Sequence, residues 1–172
     1  MLTRDCVAAS LAIVACCVGA RQSLACGEPR LLLRRHANVI AEARQIVWAE
    51  VTGSQPIKGD GWAGTPVRYK FKVLRTFKGQ VGPTTEVDGA KDAPYDGSDT
   101  TFANHTAPEF WKYLRGRMAF GGDCMMWPPH FVVGRRYLLL LGLADDLKQF
   151  ERVDNEDDRW LRYVARKTAR VQ

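Results

Sequence analysis

The clearest pattern along the chain is an alternation. In "VRYKFKVLRTF", Val67, Tyr69, Phe71 and Val73 fall on one side and Arg68, Lys70 and Lys72 on the other. A period of two sends successive side chains to opposite faces of a pleated strand, so residues 67–77 are predicted as a strand with one buried face. Phe77-Lys78-Gly79 ends it in a turn. "IVWAEVT" (46–52) and "QFERV" (149–153) read as further strands, and "TTEVD" (84–88) as a weaker one. "HFVVGRRYLLLLGL" (130–143) reads as two apolar strand arms meeting at Gly134-Arg135-Arg136. "FWKYLRGRMAF" (110–120) fits either a short helix or a strand.

Helical periodicity appears toward both ends. Pro29 suits the first position of a helix, where its missing N–H does no harm. From Leu31 to Gln45, one face collects Leu32, His36, Val39, Ile40 and Ala43, and Val47 continues the same period. At the other end Asn155 is placed to cap a helix. Glu156, Asp157 and Asp158 crowd its first turn and Arg166, Lys167 and Arg170 its last, opposing the helix dipole. Trp160, Tyr163 and Val164 give that helix one partly apolar face. Residues 53–66 are a Gly- and Pro-rich loop, and residues 89–109 a long polar one.

At 172 residues, 46% hydrophobic and 26% charged, the chain suits one domain with an ordinary core. Its formal net charge of +6 mildly favours acidic partners, but no dense basic tract of a nucleic-acid arm is present.

The first 25 residues stand apart. A polar start, "MLTRD", precedes the uncharged run "CVAASLAIVACCVGA", and "RQSLA" puts Ser23 and Ala25 at positions −3 and −1 of a cut before Cys26. The run is short for a membrane span, and the layout is that of a secretory signal peptide. This predicts export, to a periplasm or outside the cell. Ile13-Val14-Ala15-Cys16 also matches the loose lipoprotein pattern. Lipidation at Cys16 would anchor the chain to the envelope, and membrane association is expected in that case alone. Removing residues 1–25 leaves two of the five cysteines, Cys26 and Cys124. An even pair in an exported protein reads first as a disulfide.

Residues 121–130, "GGDCMMWPPH", carry the densest reactive chemistry. Cys124, Met125, Met126 and His130 are ligands that suit a soft metal such as Cu(I). Yet neighbouring methionines point to opposite faces of an extended chain, Pro128-Pro129 stiffen the path to His130, and an oxidised Cys124 is not a thiolate. A Cys124/His130 nucleophile lacks an orienting third group. No G-x-S-x-G, H-E-x-x-H or Gly-rich phosphate loop occurs. Neither enzyme activity nor a cofactor is expected. Asn104-His105-Thr106 is a glycosylation acceptor pattern. A single-strand nucleic-acid platform needs cations and aromatics on one face, whereas Tyr69 and Phe71 oppose the basic row. The row therefore reads as a solvated face and nucleic acid as no partner. His36 reads as a packing histidine, and Trp48, Trp62, Trp111 and Trp127 as core and rim.

The succession "IVWAEV", "FKVLRTFKG", a cysteine and then "FVVGRRYLLLL" resembles the tissue-inhibitor-of-metalloproteinases and netrin-module superfamily, in particular its bacterial members, over roughly residues 26–143. The resemblance implies a mainly β fold: a five-stranded OB-like barrel with an N-terminal helix and a C-terminal helix. The expected organisation is a signal peptide over 1–25, the OB-type domain over 26–153, and a C-terminal helix over 154–172 packed on it or extending from it. The resemblance also implies a Cys26–Cys124 disulfide. In the animal inhibitors the free amine and carbonyl of the first cysteine chelate the zinc of a target protease, which here points to an edge of Cys26, Gly27 and Glu28. This chain reads Cys26-Gly27-Glu28-Pro29 where those inhibitors read Cys-x-Cys, and its cysteines allow one expected disulfide where the inhibitors have several. The expected function is an exported, non-enzymatic protein-binding module, inhibitor-like through that edge, with a protein partner such as a metalloproteinase. The alternatives are a structural or accessory envelope protein that inhibits nothing, and a weak soft-metal binder at Cys124–His130.

Overall fold

The computed structural model describes residues 33–59, 64–92, 105–112, 115–117, 128–143 and 149–169. The elements in chain order are β1 (Leu33–Arg35), α1 (His36–Glu42), β2 (Gln45–Pro56), β3 (Pro66–Lys78), β4 (Thr84–Ala90), α2 (Pro108–Lys112), β5 (Arg115–Arg117), β6 (Arg136–Leu141), β7 (Phe150–Arg152) and α3 (Arg159–Thr168). The protein is mainly β. One five-stranded antiparallel sheet runs in the order β4-β3-β2-β6-β7, with a helix toward each end of the chain. β1 and β5 form a separate two-stranded ribbon. Among the described residues no helix is long and apolar enough to cross a membrane.

The connectivity is a Greek key. β2, β3 and β4 follow one another, and β6 returns to lie beside β2. That is the connectivity from which an OB-type barrel is built. The closed barrel expected from the sequence is not reached, because the outer strands β4 and β7 do not pair and the sheet stays open. Two features account for this. β7 has three residues and little edge to offer. The end of β4 is already engaged, since Ala90 N donates to Pro129 O at 3.0 Å.

The central strands are buried on both faces, so they read as near-continuous apolar runs. In β2, Ile46 and Trp48 face the helices, packing with Val39, Ile40 and Ala43 from the α1 region and with Trp160, Leu161 and Val164 of α3. Val47, Ala49 and Val51 face the other way, onto Tyr69, Phe71, Tyr137 and Leu139. β6 divides likewise, Leu138 and Leu140 against Tyr137 and Leu139. The long β2–β3 ladder has three register shifts, which bend it. α3 is therefore packed on the sheet.

Local expectations change at several points; β2 runs on to Pro56, into the stretch predicted as a loop over 53–66. The helix predicted over 31–45 is shorter: residues 33–35 are extended because β5 offers a ladder partner, and α1 begins at His36. Residues 110–120 contain both candidates, the end of α2 and then β5. The first apolar arm of 130–143 is not a strand. Phe131 turns inward as a plug, and pairing begins at Arg136. Asp158, not Asn155, caps the last helix, accepting from Trp160 N at 2.7 Å. Asn155 instead accepts from Asp157 N in the preceding turn.

The basic row is a solvated face, as expected, and β4 supplies its counter-charges. The register sets Arg68 opposite Asp88 and Lys70 opposite Glu86. Arg68 grips Asp88 with two hydrogen bonds, 2.6 and 3.0 Å, which hold that carboxyl below its ordinary pKa.

Candidate functional site

The densest buried chemistry lies where α3, α2 and the start of α1 meet β7. Asp158 caps α3, Glu151 sits in β7, and His105 lies in the turn before α2. His105 Nδ1 is 3.5 Å from Glu151 Oε2, and His105 Nε2 is 3.4 Å from Asp158 Oδ2. Glu151 is wholly buried and His105 nearly so. The His105 carbonyl accepts from Trp111 Nε1 at 2.6 Å, and the Arg159 guanidinium lies 4.0 Å over the Trp111 ring.

Burial alone would strip the charge from His105. Its contacts with Asp158 and Glu151 outweigh that cost and raise its pKa to about 9. The same pairing, against the opposing effect of burial, lowers the pKa of Asp158. At neutral pH His105 is an imidazolium held between Asp158 and Glu151.

His36 is the counterpart. It opens α1, is fully buried, and stacks on Phe110 with centroids 3.8 Å apart. Trp160, Tyr163 and Trp111 surround it at 5.0, 5.9 and 6.2 Å. Its Nε2 lies 2.9 Å from the Phe110 carbonyl, which only accepts, so Nε2 carries the proton. Nδ1 has no hydrogen-bond partner among the described residues. Burial pushes the His36 pKa down, against the Phe110 bond and the field of Glu151, and the ring stays neutral.

The two nitrogens of His105 face carboxyl groups at 3.5 and 3.4 Å, and the protonated ring has no lone pair for a substrate or metal. His36 has a lone pair, but aromatic rings enclose it. Among the described residues, no group of three or more His, Cys, Asp or Glu side chains is placed to hold a metal ion.

Of the residues singled out in the sequence, Cys26, Gly27, Glu28, Cys124, Met125 and Met126 lie outside the described residues. His130 is half-buried, one residue before the Phe131 plug. His36 and Trp48 are buried core, as expected, and Trp48 Nε1 donates to Val153 O at 2.8 Å. Sequence reasoning missed the ion cluster. His105 drew notice as part of a glycosylation pattern, and Asp158 as a first-turn acid. A signal was available in Glu151. Its strand lies beside a β6 buried on both faces, so the residue after Phe150 faces an interior as well. A carboxylate there requires a cation.

Comparison with family models, curated proteins and solved structures gave no match to this chain.

Proposed function

We propose that the protein is an exported, non-enzymatic protein-binding module whose partner-binding edge is Cys26, Gly27 and Glu28, stapled by a Cys26–Cys124 disulfide. The partner is a protein, with a metalloproteinase as the first candidate.

The pairing of β1 with β5 is the observation that supports this reading. Leu33 faces Arg117 in the antiparallel register. Cys26 lies seven residues before Leu33 and Cys124 seven residues after Arg117, so the two cysteines stand at equal remove from the ladder on its two strands. The ladder therefore releases the chain leading back to Cys26 and the chain leading on to Cys124 at the same end. A disulfide needs its Cα atoms within about 7 Å. Closing so long a loop stabilises a fold by about 4.7 kcal/mol in the chain-entropy estimate, less any strain. The Greek-key sheet is consistent with the OB-type scaffold implied by the family resemblance.

Intact-mass and N-terminal analysis of the exported protein tests the reading. The expected chain begins at Cys26 with a free amine and weighs two hydrogens less than its reduced form. That protein inhibits a zinc metalloproteinase, and acetylating the amine removes the inhibition. A chain acylated at Cys16, or one with two free thiols, overturns the proposal.

A further inference from the structure

Helix α3 reads RWLRYVARKT, and every charged residue in it is basic: Arg159, Arg162, Arg166 and Lys167. At about 100° per residue, the three arginines fall within about 60° of one another around the helix. Tyr163 and Lys167 continue that face, while Trp160, Leu161, Val164 and Thr168 are buried on the other. Arg159, Arg162 and Arg166 are exposed. The arrangement works against the helix itself. Arg162 and Arg166 are like charges at i and i+4, which repel. Arg159 stands in the first turn, where the helix dipole opposes a cation and no acid accompanies it. Its guanidinium lies 4.0 Å over the half-buried Trp111, and Lys167 Nζ lies 5.5 Å from the centre of the half-buried Tyr163 ring. Asp157 comes within 4.0 Å of Arg162, but both side chains are exposed and such a pair is worth little. On β3, by contrast, Arg68 is matched by Asp88.

We propose that this face of α3 docks on an anionic bilayer surface, its arginines seated on lipid phosphates. From Arg159 to Arg166 the row spans about 10 Å along the helix axis. Planar guanidinium forks bind phosphate oxygens in pairs, and phosphates between Arg162 and Arg166 relieve their repulsion. Tyr163 and Trp111, each with a cation at its ring, are amphipathic aromatics of the kind that settle at headgroup depth. The apolar side of α3 faces the core, so the contact is electrostatic and the helix does not insert. A convex helix face gives an acidic peptide neither a groove nor a ladder. Lipids move laterally to meet fixed charges, which is why the geometry favours a bilayer. The docking needs no acyl chain at Cys16, and it rests on neither the Cys26 amine nor the disulfide.

The test is co-sedimentation of the exported full chain with vesicles of phosphatidylcholine, with and without phosphatidylglycerol. The wild type binds the mixed vesicles, leaves phosphatidylcholine alone, and is released as salt is raised. An anionic surface attracts each nearby Lys or Arg enough that losing one weakens binding about fivefold. The Arg162→Gln/Arg166→Gln double variant therefore binds at least about tenfold more weakly. A Lys70→Gln/Lys72→Gln variant, which loses the same charge from the β3 row, binds as the wild type does. No binding to the mixed vesicles, or equal losses in the two double variants, overturns the proposal. So does equal binding to phosphatidylcholine alone, which would point to an acyl anchor or apolar insertion. Binding to soluble polyglutamate but not to vesicles would assign the face to an acidic protein and also overturns it. Should the arginine double variant melt early, Arg162→Gln alone replaces it, with a loss of about fivefold expected and unchanged binding counting against the proposal.

Discussion

Asp158 serves His105 and helix α3 with different oxygens. Its Oδ1 accepts from Trp160 N at 2.7 Å, and its Oδ2 lies 3.4 Å from His105 Nε2. One carboxylate therefore starts the last helix and ties it to the loop ahead of α2. Through Glu151 the tie continues into β7.

Removing His105 leaves the buried Glu151 without the imidazolium beside it. Breaking a buried pair from one side costs about 3 kcal/mol or more. His105→Gln is expected to lose about that much in urea unfolding at pH 7. The loss should shrink with rising pH. The folded pKa of about 9 lies above the ordinary 6.5, so the stabilisation is full below pH 6.5 and disappears as pH rises through about 9. Wild type and variant should therefore converge between pH 6.5 and 10. Parallel curves would remove the charge from the account.

The two tasks of Asp158 can be separated. Asn retains an oxygen for the cap and loses the charge, whereas Ala loses both. Asp158→Ala should be the less stable by about 1 kcal/mol, the usual worth of a cap. Both variants should lower the His105 pKa as followed by ring-proton NMR. Equal stability of the two would mean that the cap contributes nothing.

His36 has the opposite pH sign. It is folded neutral with a lowered pKa, while the unfolded chain takes up a proton near pH 6.5. Its contribution is present above pH 6.5 and lost as pH falls. His36→Phe keeps the stacked ring and removes the titration, but it leaves the Phe110 carbonyl without its donor. The variant should lose about 1–2 kcal/mol at pH 8. Unfolding curves at pH 8 and pH 5 check this: the gap from wild type should narrow at the lower pH. A gap that widens would show the ring to be charged when folded.

The strands were legible wherever one face alternates or both faces are apolar. "VRYKFKV" and "YLLLL" fall within β3 and β6 for that reason. What stayed hidden depends on distant partners. Residues 33–35 leave a helical pattern because residues 115–117 come alongside, and no local period records that pairing. His105, Glu151 and Asp158 are scattered over more than fifty positions, and each alone looks like an ordinary surface polar residue. Burial, not spacing, makes them a cluster. Barrel closure failed for a related reason: the strand count was readable, but the reach of β7 and the capture of Ala90 by Pro129 were not.

Phe131 illustrates a misread apolar residue with a larger role. Tyr69, Phe71, Tyr137 and Phe150 surround it edge-on, with centroids 4.7 to 5.1 Å away. It fills the sheet face opposite the helices from a segment that makes no ladder. Phe131→Ala should cost about 4 kcal/mol, near the whole stability of a small domain. Thermal melting should show the loss, and Phe131→Leu should recover part of it. A melting point within a few degrees of wild type for Phe131→Ala would mean that the loop collapses into the space.

Pro129, two residues earlier, presses on β4. A Cβ placed on Gly89 would collide with the Pro129 carbonyl oxygen, the same oxygen that accepts from Ala90 N. A contact that close forces backbone apart, and overpacking of this kind costs about 2 kcal/mol. Gly53, in β2, has nothing within 4 Å of such a Cβ. Gly89→Ala should therefore destabilise the protein by about 2 kcal/mol, while Gly53→Ala stays within about 0.5 kcal/mol of wild type. Hydrogen exchange locates the effect. In Gly89→Ala the Ala90 amide should exchange faster while the β2–β6 amides keep their relative protection. If Ala90 kept its protection, the loop from Pro129 to Phe131 would have to move with β4 as a unit, and the open edge of the sheet would not be set by that contact.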